Sequence, residues 1–184
     1  MQESTFVTSY FYCKEGDQER NTGISVFRAL LGQLLSQIRD MVPYCHDKYL
    51  TSGDTTLTST NLATQLLGLF CQKIPKQYII IDGLDECDTT ERKLLLSTFI
   101  KMVDDYDKHD PGKLRVLFVS QHYNDIKKSL QAATVISLEP EDNQGDISLY
   151  VDWWAPKIQH KYGLDDDQIE HIKTSTCARA QGST

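Results

Sequence analysis

Paired cysteines are missing from this sequence. Its five cysteines stand at 13, 45, 71, 87 and 177, an odd number with no C-x-x-C spacing. A disulfide framework or a zinc cage needs paired spacings, so reduced thiols are the expectation. Cys45-His46 has no further ligands at metal spacing. Clusters of Lys and Arg are also lacking, and the formal net charge is −7. This argues against free nucleic acid as a partner, because a phosphate backbone binds a basic face. A single nucleotide is different, since a few local donors and a cation outweigh global charge. No stretch approaches the ~20 apolar residues that span a bilayer. Met1-Gln2-Glu3-Ser4-Thr5 lacks the basic start and apolar run of a signal peptide. A soluble, cytoplasmic chain without a membrane partner is therefore expected. With 40% hydrophobic and 24% charged residues the chain reads as globular. Its 184 residues suit one domain, or one core with part of a second.

Apolar spacing then predicts the elements. Phe6 to Tyr12 is aromatic and β-branched and reads as a strand. Ile24, Phe27, Leu30, Leu31, Leu34, Leu35 and Ile38 fall at helical spacing, in a helix ended by Pro43. The Ser/Thr/Gly-rich segment Thr51 to Thr60 leads to a second helix with Leu62, Leu66, Leu69 and Phe70 on one face, closed by Pro75. Tyr78 to Ile81 is a continuous apolar run, the pattern of a strand buried on both faces. Asp88 and Glu91 have capping-box spacing, so a helix begins near Thr89 with Leu94, Leu95, Phe99 and Met102 inward. Leu114–Val119 is a further strand, ending at Ser120-Gln121. A short helix near Asp125–Leu130, a strand Thr134–Leu138 and two helices around Ile147–Trp154 and Gln168–Ala178 follow. Strands alternating with helices predict a doubly wound, mostly parallel α/β core over residues 1–141. Residues 142–184 read as the beginning of a helical subdomain.

The chemistry concentrates in Ile79-Ile80-Ile81-Asp82-Gly83-Leu84-Asp85-Glu86-Cys87. Three isoleucines deliver Asp82 to the carboxyl end of a strand, where ligands bind in open α/β sheets. A carboxylate there can hold Mg²⁺, which takes one or two protein carboxylates and fills its shell with phosphate and water. Asp85 and Glu86 fall just past the strand, within reach of a water facing a phosphoryl group. The alternative is structural: Asp82 caps a turn while Asp85 and Glu86 favour the N-terminus of the next helix through its dipole. Three acids so close after a buried strand repel one another unless a cation or donors offset them, which favours the functional reading.

This segment resembles the Walker B signature of NACHT domains, signalling NTPases of the STAND class of P-loop NTPases. Tyr10-Phe11-Tyr12-Cys13 and Phe27-Arg28-Ala29-Leu30-Leu31-Gly32-Gln33-Leu34-Leu35 are similar to the strand and helix lying between Walker A and Walker B in that family. Leu138-Glu139-Pro140 through Asp146-Ile147-Ser148-Leu149-Tyr150-Val151 resembles its lead into a helical subdomain, and Ala178–Thr184 the start of that subdomain's next helix. The set looks most like fungal NACHT proteins with a nephrocystin-like N-terminal region. The resemblance implies ATP or GTP binding with Mg²⁺, as a switch controlling oligomerisation within a longer multidomain protein. By motif match Asp82 is the Mg²⁺ residue, Asp85 the acid nearest the hydrolytic water and Glu86 its assistant.

Two departures narrow this expectation. No G-x-x-x-x-G-K-[ST] occurs among the 184 residues; Gly112-Lys113 comes nearest, but Leu114 follows and begins a strand. The phosphate loop and the first strand of the P-loop fold are thus missing from this sequence, which reads as a fragment or a degenerate form. Second, Gln121 stands where the family usually places an arginine near the γ-phosphate. Its amide can donate a hydrogen bond but carries no charge, and it reads equally as a nucleotide-contacting remnant or as solvated loop. Little or no hydrolysis by this chain alone is the expectation, with a non-catalytic protein–protein interaction module as the alternative. His122 and Tyr123 are candidates to contact a base, and Trp153-Trp154 is a candidate partner anchor or packing element. A first strand absent from the sheet would also leave Thr134–Leu138 apart from the other strands.

Overall fold

The computed structural model describes residues 6–53 and 56–181. The chain divides into two compact units, Met1–Ala132 and Ala133–Thr184. The first is α/β. Its strands are β1 (Val7–Tyr12), β2 (Gln77–Asp82) and β3 (Leu114–Val119), in the order β1-β2-β3 and parallel throughout. Between β1 and β2 lie α1 (Gly23–Gln37), α2 (Val42–Ser52) and α3 (Thr60–Lys73); α4 (Thr89–Asp107) joins β2 to β3, and α5 (Asn124–Ser129) follows. The helices start where side chains satisfy their free amides. Thr22 accepts from the Ser25 amide, Ser59 from Leu62, and Asp88 from both Thr90 and Glu91.

The register sorts the sheet into two unlike faces. Val7, Ser9 and Phe11 stand beside Gln77, Ile79 and Ile81, which stand beside Leu114, Val116 and Phe118. This face is covered. Ile79 and Ile81 pack into one core with Phe27, Leu30 and Leu34 of α1, Leu67 and Phe70 of α3, and Leu95 and Phe99 of α4. Phe99 bridges the layers, its ring 5.8 Å from Phe27 and 6.2 Å from Phe118. Burying each such side chain contributes about 1.5–3 kcal/mol. On the other face Tyr10, Tyr12, Leu117 and Val119 are exposed, while Tyr78 and Ile80 are only half-buried.

The double winding expected from the sequence is therefore not seen: among the described residues this is a two-layer, one-sided α/β unit. The reason lies in the strand order. A sheet that advances β1-β2-β3 without reversing, joined by right-handed crossovers, deposits every crossover on the same face. The isoleucine run meets a full core on one side only. The outer edge of β1 is closed by side chains instead of a strand. Gln33 accepts from the Tyr10 amide at 3.0 Å and donates to its carbonyl at 2.7 Å, and Gln37 donates to the Thr8 carbonyl. Such cover blunts an edge that would otherwise template further pairing.

Other expectations shift for local reasons. The first helix ends at Gln37 with Ile38 as its cap, followed by a 3-10 turn at Arg39–Met41. Pro43 does not terminate it; this proline sits in the first turn of α2, where its missing amide costs nothing. Within the Thr51–Thr60 segment, Asp54 and Thr55 lie outside the described residues. The expected strand Thr134–Leu138 is irregular, with Val135, Ile136 and Leu138 exposed. Its β-branched residues supply propensity, but a strand exists only with a ladder partner.

The second unit is a helical hairpin of α6 (Gln144–Tyr162) and α7 (Asp166–Gln181). Gly163, at φ 64°, ends α6 in the left-handed conformation that glycine adopts without strain. Val151 and Ala155 of α6 and Ile169 of α7 are buried, and Lys173 pairs with Asp152 at 2.6 Å. Ala178–Gln181 complete α7 rather than begin another helix; Gly182–Thr184 lie outside the described residues. No helix among the described residues is long and apolar enough to cross a membrane.

Candidate functional site

Asp82 is the last residue of the middle strand, paired in register with Tyr12 on one side and Val119 on the other. Its side chain leaves the open face of the sheet and is half-buried. Among the described residues no donor bonds its carboxylate. Its backbone carbonyl, by contrast, accepts from the Cys13 amide at 2.8 Å. The strand end is thus fixed while the acid stays available. Gly83 follows at φ 70°, where a Cβ would meet the Cys13 carbonyl oxygen and the Glu86 side chain, each at 3.2 Å. Glycine is required here both for the left-handed backbone and for the close approach.

A 3-10 turn, Leu84–Glu86, then turns the chain with Leu84 buried inward. Asp85 and Glu86 are half-buried and each is anchored to a neighbouring loop. Asp85 Oδ1 accepts from the Gln121 amide at 3.1 Å, tying the β2 exit to the β3 exit. Glu86 Oε2 accepts from the Glu15 amide at 2.9 Å, tying it to the β1 exit. The structure therefore brings Asp82, Asp85, Glu86 and the Gln121 backbone together at the carboxyl end of the sheet. Gln121 contributes its main-chain amide, and its side chain is exposed. Each of Asp85 and Glu86 keeps one carboxylate oxygen without a protein donor among the described residues. No three Cys, His, Asp or Glu side chains among the described residues converge in a way that would hold a metal by themselves.

The residue that organises this turn is Arg92, which the sequence reading did not single out. It is buried on α4. Its guanidinium donates to the Asp85 and Cys87 carbonyls, both at 3.0 Å, and to Thr89 Oγ1 at 3.3 Å. It pairs with Asp125 at 3.1 Å and lies 4.8 Å from the Tyr123 ring centroid. A planar cation with five donors suits this multiple grip, which lysine could not reproduce. Tyr123 is thereby engaged as a lid over Arg92, and His122 is exposed beside it. The available signal was position: Arg92 shares a helical face with Leu95, Leu96 and Phe99, and a charge on a core face needs a partner. Trp153 and Trp154 stand exposed on α6 in an edge-to-face pair, 5.0 Å between centroids, with Lys157 Nζ 2.8 Å from the Trp153 centroid.

A family model described as Nephrocystin 3, N-terminal matches residues 1–121, which include the whole sheet, the acidic turn and Gln121. No curated protein and no solved structure matches the chain.

Proposed function

Because the chain belongs to the nephrocystin 3 N-terminal family, we propose that residues 82–86 are the acidic, metal-facing half of a NACHT-type nucleoside-triphosphate switch. One observation carries this reading: the carboxylate of Asp82 ends the middle strand of a parallel sheet with no donor among the described residues, while its neighbours Asp85 and Glu86 are held in place by backbone amides. Asp82 is thus left free to take a cation at the strand end, while the two acids that follow it are held by backbone amides.

The residues fit Mg²⁺ with ATP or GTP in part. Asp82 would hold the ion, directly or through water, and a bound Mg²⁺ would neutralise charge on the phosphate oxygens. Asp85, fixed through Oδ1, keeps Oδ2 to orient a water. Glu86, bonded to the Glu15 amide, positions the β1 exit more than it contacts a ligand. Gln121 acts through its amide on Asp85. The phosphate-cradling loop is not among these 184 residues, so the chain alone turns over little or no nucleotide. Its role is that of a switch element within a larger assembly, whose oligomerisation the nucleotide state would control.

A second reading has its own support. Backbone amides already occupy an oxygen of Asp85 and of Glu86, as in a structural turn, and the open sheet face exposes Tyr10, Tyr12, Leu117 and Val119. This favours a non-catalytic interaction module that keeps the α/β scaffold. Equilibrium dialysis with ATP separates the two. The switch reading expects retention that requires Mg²⁺ and is lost in Asp82→Ala. No retention at any Mg²⁺ concentration supports the interaction module, and turnover abolished by Asp85→Ala would make the chain an enzyme in its own right.

A further inference from the structure

The two outer edges of the sheet are unlike. The edge of β1 is occupied by the Gln33 and Gln37 side chains, which bond the Tyr10 amide, the Tyr10 carbonyl and the Thr8 carbonyl. The edge of β3 carries no such cover among the described residues. One hydrogen bond identifies its free groups. The Gln77 amide donates to the Lys113 carbonyl at 2.7 Å, so residues 113, 115, 117 and 119 turn their backbone groups toward β2. Alternation along the strand then turns those of Leu114, Val116 and Phe118 outward. The Leu114 carbonyl is taken by Arg115 Nη1 at 2.9 Å, and Arg115 is itself held by Asp107 at 2.8 Å. Val116 and Phe118 keep their outward amides and carbonyls without a partner among the described residues.

The strand also lacks the devices that keep an edge from pairing. It reads Leu-Arg-Val-Leu-Phe-Val, with no proline, no glycine and no charge beyond Arg115. The helical layer stops short of it: Val116 and Phe118 stand on the covered face yet are only half-buried. Leu117 and Val119, on the other face, are exposed. We propose that this edge is a homodimer interface, in which β3 of one copy pairs antiparallel with β3 of a second and doubles the three-stranded sheet. The inference does not rest on the nucleotide reading.

The contacts select a second copy in this geometry. Head-to-tail assembly would need the β1 edge, which glutamine side chains already occupy. Pairing of β3 with β3 uses free groups on both sides, and such an isologous contact closes at two chains. An exact two-fold sets equivalent residues opposite each other, and opposite residues exchange both bonds only in an antiparallel ladder. Arg115 then fixes the register. With Leu117 opposite Leu117 of the second copy, the reciprocal Val116–Phe118 pairs exchange bonds through groups that are free in the single chain. Setting Val116 opposite Val116 would instead draw on the Leu114 carbonyl that Arg115 holds. In the Leu117-centred register the two leucines meet on the open face, and the half-buried Val116 and Phe118 cover one another on the helical side.

Sedimentation velocity of the full chain tests this. The unaltered chain should show a monomer–dimer equilibrium that shifts with concentration. Leu117→Lys and Leu117→Glu should each be monomeric, because like charges then face each other directly, and an equimolar mixture of the two should recover the dimer. Leu117→Cys should oxidise to a covalent dimer linked through position 117 of both chains, since such opposite residues stand ~4.5 Å apart, within disulfide reach. Val116→Pro removes an outward amide without touching the β2–β3 ladder and should also give a monomer. Face-to-face stacking of the open sheet face would survive that substitution, so a dimer retained in Val116→Pro overturns the proposal. So does an unaltered chain that stays monomeric to its solubility limit, or a Lys/Glu mixture that fails to dimerise. Leu117 is exposed, so its variants keep the core, and circular dichroism of each verifies the fold.

Discussion

Replacing Arg92 by leucine removes the cation that holds the acidic turn, α4 and the Asp125 segment together. The leucine fills much of the space, so the loss is electrostatic rather than a cavity. Asp125 is left without its 3.1 Å partner, and the Asp85 and Cys87 carbonyls each lose a donor at 3.0 Å. Breaking a buried pair in this way costs about 3–5 kcal/mol. The Asp125 side chain is 24% exposed and recovers some hydration, which places the expected cost near the lower end, about 3 kcal/mol. For a chain of this size each kcal/mol moves the thermal midpoint by ~2–4 °C, so a fall of about 6–12 °C is expected. Circular dichroism melts of wild type, Arg92→Leu, Asp125→Leu and the double variant provide the assay. The double variant should lose less than the sum of the singles, because the second substitution removes a charge already orphaned. Arg92→Lys should fall between wild type and Arg92→Leu, keeping charge without the planar fork. A leucine variant within about 1 kcal/mol of wild type, or strict additivity, would refute the hub assigned to Arg92.

Three further outcomes follow from the same contacts. Asp88→Ala removes an N-cap that accepts from two amides and should cost about 1 kcal/mol in urea unfolding. Gly83→Ala forces a left-handed alanine against the Cys13 carbonyl and should destabilise by about 1–2 kcal/mol from the backbone alone, more with the clash. The open sheet face should drive self-association of the isolated chain, visible in sedimentation velocity and reduced by Leu117→Lys; a monodisperse chain with one cooperative unfolding transition would contradict that.

Much of the first unit was legible because its signals are local. β1, β2, β3, α1, α3 and the Asp88-capped α4 follow from apolar spacing and cap chemistry, and the acidic turn from its place after the isoleucine run. What escaped depends on partners distant in sequence. Pro43 looks the same whether it stops one helix or starts another; only the 3-10 turn before it decides. The isoleucine run at 79–81 reads as buried on both sides, yet strand order determines which faces receive helices. Thr134–Leu138 has strand composition without a ladder. Arg92 falls on the core face of α4 by spacing, but which groups partner it, Asp125, Tyr123 and two carbonyls, is decided by tertiary structure. The acids themselves were found by pattern, but their division into one unpaired carboxylate and two anchored ones is a tertiary fact.

Asp82 is the proposed cation ligand in the presence of nucleotide. Electron paramagnetic resonance of Mn²⁺, which suits the same oxygen ligands as Mg²⁺, measures this directly. Titrated with ATP, the chain is predicted to hold Mn²⁺ in a ternary complex that Asp82→Asn abolishes and Gln121→Ala preserves. Mn²⁺ binding unchanged in Asp82→Asn, or no more Mn²⁺ held with the chain than ATP binds by itself, would contradict it.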